Sequence, residues 1–283
     1  MKHSFLRKFV FPLITACLVL LFVSSPILKT ADRWVQDYLY QRPGVPSGDI
    51  KIIEINEKSL SEIGPYGPSY RYYMARALQV LAAYPNNLPA VVAIDILYEG
   101  ESDPAVDNQL AEAAAALPRV ITSCMAEFGD KITWEDGRAV NLEAAVINVV
   151  EPFDALKNAT TQGHINAMPD TDGILRHALL YVENPETGEK ILSMASQTAR
   201  LYQEFRGESF SLPYINTAGH YYVPFVGKPK TFDEGLSFVE LIKGNYDPSL
   251  WKDKIVLIGP YAAALNDYYM TAADKGQPMY GIE

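Results

Sequence analysis

Cysteine is nearly missing from this 283-residue chain: Cys17 and Cys124 are the two, and Cys17 falls inside an apolar run. A disulfide framework is thereby excluded, and the redox character of the compartment is left open. Histidine is scarce as well, with His3, His164, His177 and His220, and no CxxC or HExxH spacing occurs, so no tightly held transition metal is expected. The sequence contains no GxSxG elbow and no phosphate-binding GxxxxGK loop, and IVLIGPYAAAL offers Gly259 alone where a dinucleotide site wants three glycines. Neither a catalytic residue, a metal ligand nor a cofactor is therefore assigned, and the chain is not expected to be an enzyme.

Positive charge is also in short supply. Residues 1 to 28 hold Lys2, Arg7 and Lys8 and no acid, leaving 21 basic against 34 acidic side chains, or −13, in the remainder. Such a surface repels a phosphate backbone, so nucleic acid is not expected as a partner. With 48% hydrophobic residues the chain can nevertheless bury a sizeable core.

One long stretch lacks charge altogether. FVFPLITACLVLLFVSSPIL, Phe9 to Leu28, would rise about 1.5 Å per residue as a helix and span a hydrocarbon core of about 30 Å. It predicts a membrane helix, with residues 1–8 as a cytoplasmic tail. The rival is a cleaved signal peptide, for which Val23 to Ser25 supplies a small-residue site. Basic residues flank the span on both sides, Lys2, Arg7 and Lys8 before it and Lys29, Arg33 and Arg42 after it. Short basic tails resist export, which favours an amino terminus inside and the acidic remainder outside.

After a turn-rich patch, Arg42 to Asp49, four aliphatic runs alternate with helical periodicity: Ile50 to Asn56, Ala90 to Leu97, Arg119 to Cys124 and Lys254 to Gly259. Runs of this kind suit parallel strands covered on both faces. Tyr70, Tyr73, Met74, Ala77, Leu81 and Tyr84 share a helical face ended by Pro85. Asp103 and Pro104 open a second helix as cap and first-turn residue, and Ile191 to Phe205 fits a third. The aromatic stretch Leu212 to Val226, broken by glycine and proline, predicts hairpins. The expected fold is α/β, a mostly parallel sheet flanked by helices with appended β-hairpins, preceded by one transmembrane helix.

Three polar residues stand near the carboxyl ends of predicted strands, Asn56, Asp95 and Ser123. Doubly wound sheets place their ligand crevice there, which makes these the candidate ligand-binding residues on geometry; capping and loop-tying are the alternative roles. PDTDG, Pro169 to Gly173, begins like a calcium loop, but Tyr181 stands where position 12 needs glutamate. Asp172-Gly173 between two strand-like stretches reads instead as the tip of a β-hairpin.

Taken in order, IKIIEINEKSL, AVVAIDILYEG, GHINAMPDTDGILRHALL, SMASQTARLY, PFVGKPKTF and LWKDKIVLIG resemble the CHASE2 family, over about residues 30 to 283. That resemblance implies an extracytoplasmic sensory domain of a bacterial membrane receptor, residues 29–283, in the inner (plasma) membrane. MYGIE resembles the start of the family's closing block, which implies a truncated sensor whose cyclase, histidine kinase or serine/threonine kinase output follows. The implied partner is an unidentified small-molecule or environmental ligand, with the membrane held by the amino-terminal helix. Association of two sensors as a homodimer, through the helix around Trp34 to Tyr40, is an alternative input. The chain departs from the family's blocks at Ile55–Glu57, at Gly64–Arg71 and at Ile258–Tyr261. Two other readings stand beside this one: a membrane-anchored hydrolase using Asp95 with Asp170 or Asp172, and a solute-binding protein serving a transporter.

Overall fold

A computed structural model describes residues 6–23, 26–41, 44–135 and 138–283. After a π-helical turn, Leu6–Val10, come helices α1 (Phe11–Val23) and α2 (Pro26–Tyr40). Among the described residues the expected span over Phe9 to Leu28 is divided between α1 and α2, with Ser24 and Ser25 between them not described. The 13 residues of α1 are uncharged but rise only about 20 Å, and α2 carries Asp32, Arg33 and Asp37. Among the described residues no helix is long and apolar enough to cross a membrane. Ser24 and Ser25 of the cleavage-type motif, Lys2 of the basic tail, and Arg42 and Pro43 of the turn-rich patch lie outside the described residues.

The four aliphatic runs form one sheet. They are β1 (Ile50–Ile55), β2 (Val91–Ile94), β3 (Val120–Glu135) and β11 (Ile255–Pro260), in the order β1-β11-β2-β3 and all parallel. β4 (Arg138–Val150) pairs antiparallel with the outer part of β3, and β5 (Thr161–His164) pairs parallel with its inner part. The long β3–β4 hairpin is absent from the sequence expectation, which ended the third run at Cys124.

Side chains alternate across the sheet. Ile53, Ile55, Val92, Ile94, Val256 and Ile258 enter the larger core beneath helices α3 (Glu57–Ile63), α4 (Tyr70–Ala82), α5 (Pro104–Ala115) and α6 (Asp154–Ala159). On the opposite face Val91, Ala93 and Ile121 meet helix α7 (Met194–Arg206). Helix α4 matches its predicted periodicity, and Asp103 accepts from Ala105 N at 2.9 Å at the start of α5, as its position before Pro104 required. The third predicted helix begins later than Ile191, which lies in a strand.

Short strands form the appended layer: β6 (Ile174–Leu175), β7 (His177–Leu179), β8 (Tyr181–Glu183), β9 (Lys190–Leu192) and β10 (His220–Tyr222). β8 pairs with β9 and β7 with β10, both antiparallel. Helix α8 (Phe238–Lys243) closes the helical face, and β12 (Tyr268–Thr271) with β13 (Met279–Tyr280) completes the chain. Of the hairpins expected over Leu212 to Val226, β10 is the one strand formed.

Candidate functional site

β1 and β11 are neighbours whose continuations diverge. β1 runs into α3 on the helical face, whereas β11 runs into Tyr261, which packs with Ile52 and Ile282 on the other face. Beyond Tyr261 the chain returns to the helical face, where Leu265 packs against the same core as Leu60. A surface cleft of about 680 Å³ lies there, lined by Glu57, Leu60 and Ser61 of α3, by Pro65 and Tyr66 of the loop that follows, and by Ala264 and Leu265 beyond β11. Glu57 Oε1 accepts from Ala263 N at 3.1 Å, joining the two walls. A second cavity of about 400 Å³ lies at the β5–β9 edge, where Lys157 already pairs with Glu151 at 2.7 Å.

Asn56 builds this place without lining it. As the cap of α3 its Oδ1 accepts from Ser59 N at 3.2 Å and from the Ser59 and Ser237 hydroxyls at 3.2 and 3.0 Å, while Nδ2 donates to Glu54 Oε2 at 3.1 Å. The cap therefore sets where Glu57, Leu60 and Ser61 stand. Asp95 follows β2, its N–H donating to Ile258 O at 2.8 Å. Part of the residue is exposed but its carboxyl is enclosed, and burial, then Asp267, pushes it up to about 7. Gly259 makes room: a Cβ there would come within 3.0 Å of Asp95 Cβ. Ser123 is fully buried, its hydroxyl donating to Ile94 O at 2.8 Å, on a strand that continues to Glu135. The structure thus puts Asp95 and Ser123 on neighbouring strands, with β11 between them and Asn56.

Around this edge gather Glu54, Glu57, Asp95, Asp233, Asp267 and Glu283, and none has a basic side chain within ion-pair distance among the described residues. Burial pushes Glu54 up to about 7; the Asn56 donor opposes this and neighbouring Asp233 adds to it. Tyr280 is raised first by burial and then by Glu57, Glu283, Glu54 and Asp233, so Glu57 belongs both to the crevice wall and to the acidic edge.

The aspartates of PDTDG have a different role, one that involves no described group of three or more metal-type ligands. Gly173 has φ 78°, and Gly173 N donates to Asp170 O at 2.8 Å, so the stretch is a turn. An antiparallel bridge, Ala167 to Ala178, stands behind it, although β6 itself pairs parallel with β12. The turn folds both carboxylates onto Arg176, 1% exposed, whose Nη1 reaches Asp170 at 2.7 Å and Asp172 at 2.9 Å. The other side of the guanidinium holds Asp37 of α2 through two bonds, at 2.7 and 3.2 Å. Asp37 also receives Lys275 at 2.6 Å and the Tyr222 hydroxyl at 3.0 Å. Burial alone would raise the Asp37 carboxyl, but the bonds from Arg176, Lys275 and Tyr222 outweigh it and hold it low.

Arg33 reaches Thr171 at 2.7 Å and Asp172 at 3.4 Å, and Gln41 exchanges hydrogen bonds with Val223 and Phe225. Helix α2, with Gln41 just past its end, therefore faces its own domain through Arg33, Asp37 and Gln41, four residues apart. It leaves Trp34, Val35, Tyr38 and Leu39 exposed. Sequence reasoning missed Arg176 and Asp37 because their pairing joins positions 139 apart; the one local signal was an arginine four residues after Asp172.

Fold and site together define a class: a parallel-sheet α/β domain with a surface cleft beside α3, latched by charge to a helix at its amino-terminal end. The chain belongs to the CHASE2 domain family, which matches residues 14–283 and whose members are non-catalytic extracytoplasmic sensory domains of signalling receptors. Among curated proteins and solved structures none matches the chain.

Proposed function

We propose that the chain is the ligand-sensing part of a transmembrane receptor, anchored in the inner membrane by its uncharged amino-terminal segment, with a cyclase, histidine kinase or serine/threonine kinase as output. The observation that carries this is the Arg176 latch. A guanidinium bonded to Asp37 on one side and to Asp170 and Asp172 on the other ties the sensory body to α2, and α1, next along the chain, is uncharged with Phe11, Leu13, Leu18 and Leu21 exposed. A ligand in the crevice would bias one of two arrangements of body and helix, by no more than its differential affinity for them.

Against the hydrolase reading stands the engagement of Asp170 and Asp172 by Arg176, while the Asp95 carboxyl is raised first by burial and then by Asp267. The exposed face Trp34, Val35, Tyr38 and Leu39 supports a second input, pairing of two copies through α2. Expression of the full-length receptor with its output measured in membranes tests the main reading. Asp37→Asn should shift the basal output while the protein remains inserted, and a basal output identical to that of the unaltered receptor would count against the latch as signal path. Disulfide trapping of Val35→Cys across two copies, present or absent, decides the second.

A further inference from the structure

We infer that Glu54 and Asp233 form a proton-operated clasp: one proton shared between their carboxyls holds residues 228–237 against strand β1, and its loss as pH rises frees that strap. β1 stands at one end of the sheet order, and the strap covers its outer edge. Glu54 N donates to Leu236 O at 2.8 Å, Glu54 and Ser237 form a parallel bridge, and Lys51 pairs with Glu234 at 2.8 Å. The Ser237 hydroxyl donates to Asn56 Oδ1 at 3.0 Å, which joins the strap to the cap of α3. Nearer its start, Lys230 N donates to Glu283 Oε1 at 2.6 Å. Opening the strap therefore disturbs both α3 and the last residue described. On the sensory reading, this makes external pH an input to the domain.

The geometry calls for the proton. Glu54 is 3% exposed; its Oε2 accepts from Asn56 Nδ2 at 3.1 Å, whereas Oε1 is sealed from solvent without a donor, and the carboxyl of Asp233 lies within hydrogen-bonding reach. Two carboxylates in that position are acceptors facing an acceptor, and a single proton between them replaces repulsion by a hydrogen bond. The other groups facing Glu54 supply no positive charge. They are Tyr261 beyond β11, Tyr280 of β13, Glu283, and Tyr246 beyond α8, whose hydroxyl already accepts from Ser237 N at 2.7 Å. Lys51 is held by Glu234 and Lys58 by Glu240. Tyr261, 5% exposed, stands among Glu283, Asp233 and Glu54 with its hydroxyl lacking a partner among the described residues, so a second buried polar atom borders the pair.

Burial first, with the Asn56 donor opposing and Asp233 adding, pushes Glu54 up to about 7. The clasp is therefore complete below the ordinary carboxyl range and is lost as pH rises through about 7. Asp233 is exposed, so the strap can carry its carboxylate into water and hydrate Glu54 while the sheet stays folded. The titration then appears as local opening.

The test is amide hydrogen exchange of the full chain in lipid nanodiscs at pH 6 and pH 8, each rate divided by that of the unstructured sequence at the same pH. Protection of residues 228–237 should fall about tenfold between the two, because opening releases one proton, while α4 keeps its protection. Glu54→Gln places an amide donor against Asp233 at every pH and should hold the strap closed at both. Asp233→Asn, at an exposed position, supplies the donor from the other side and should abolish the change as well. Equal protection of the unaltered strap at the two pH values, a loss that extends to α4, or a tenfold loss persisting in Asp233→Asn overturns the inference. Should Glu54→Gln fail to fold, Asp233→Asn decides alone. None of these measurements uses receptor output, so failure of the clasp leaves the sensory reading standing, and the output of Asp37→Asn tests that reading separately.

Discussion

Gly173 has φ 78°, and a Cβ placed on it would meet nothing within 4 Å. Gly173→Val therefore carries a backbone penalty alone, about 1–2 kcal/mol, and Gly173→Asn less, because asparagine tolerates the left-handed region. Chemical denaturation of the two variants measures the difference. Two titratable residues act against each other. Asp95, held near 7 by burial and then Asp267, is protonated in the folded chain where the unfolded chain is already ionised. Its stabilisation is complete below about pH 4 and is lost as pH rises to about 7, on the order of 3 kcal/mol. His164, 2% exposed, is held down at about 4 by burial; the backbone of Leu179 and Leu180 offsets this only in part, without a well-formed hydrogen bond to either ring nitrogen. There the unfolded chain takes the proton first, so stability falls as pH drops from about 6.5 to about 4, by about 3 kcal/mol. The two slopes oppose one another in the unaltered protein. Asp95→Asn should steepen the loss on acidification and melt higher at pH 8, while His164→Leu should reverse the slope, both read from melts between pH 4 and 8.

At the scale of elements, periodicity predicts those helices that are long enough to display it. α4 and α5 show several apolar residues on one face, and α5 adds a cap and a first-turn proline. α3, with seven residues, does not reach two full turns; it forms because Asn56 caps it and because Ser59 and Ser237 tie that cap to the segment beside β1. Asn56→Ala should cost about 1–2 kcal/mol, the cap and its side-chain network together. The same change should loosen the crevice wall that carries Glu57, Leu60 and Ser61, seen as faster amide exchange in α3 relative to α4. Strands beyond the central four are short except β4, which pairs with the part of β3 that runs far past its aliphatic run. Their pairing partners are distant in sequence: β10 adds to β7 and β12 to β6.

At the scale of the whole molecule, Arg176 joins three regions of the chain. Its guanidinium satisfies Asp37, Asp170 and Asp172, and Asp37 in turn receives Lys275 and Tyr222. Arg176→Ala would leave the buried Asp37 with Lys275 and Tyr222 alone and release the more exposed Asp170 and Asp172, a loss of about 3 kcal/mol. Arg176→Lys should recover only part of it, because an ammonium cannot make the two parallel bonds to Asp37. Urea midpoints of the two variants, together with protease cleavage at α2, check this: the helix should be cut sooner in both, and an uncut helix in Arg176→Ala would mean that the latch does not hold it.

The parallel sheet was legible in four aliphatic runs because strands buried on both faces must be apolar throughout, a requirement that acts residue by residue. Gly173 and Asp103 were legible for the same local reason, one through its φ and the other through a cap two residues from the N–H it accepts. The expected ligand residues do not line the cleft: its walls are Glu57, Tyr66 and Leu265, while Ser123 is sealed in the core and Asn56 is engaged as a cap. Which way each chain leaves its strand, and whether a polar side chain there faces solvent or a neighbouring carbonyl, depends on packing partners far along the sequence. Ser123 turned to Ile94 O, Asn56 to Ser59 and Ser237, and Asp37 to Arg176, 139 residues away. Local chemistry decides what each residue can do; only the folded chain decides which partner is near enough for it to do so.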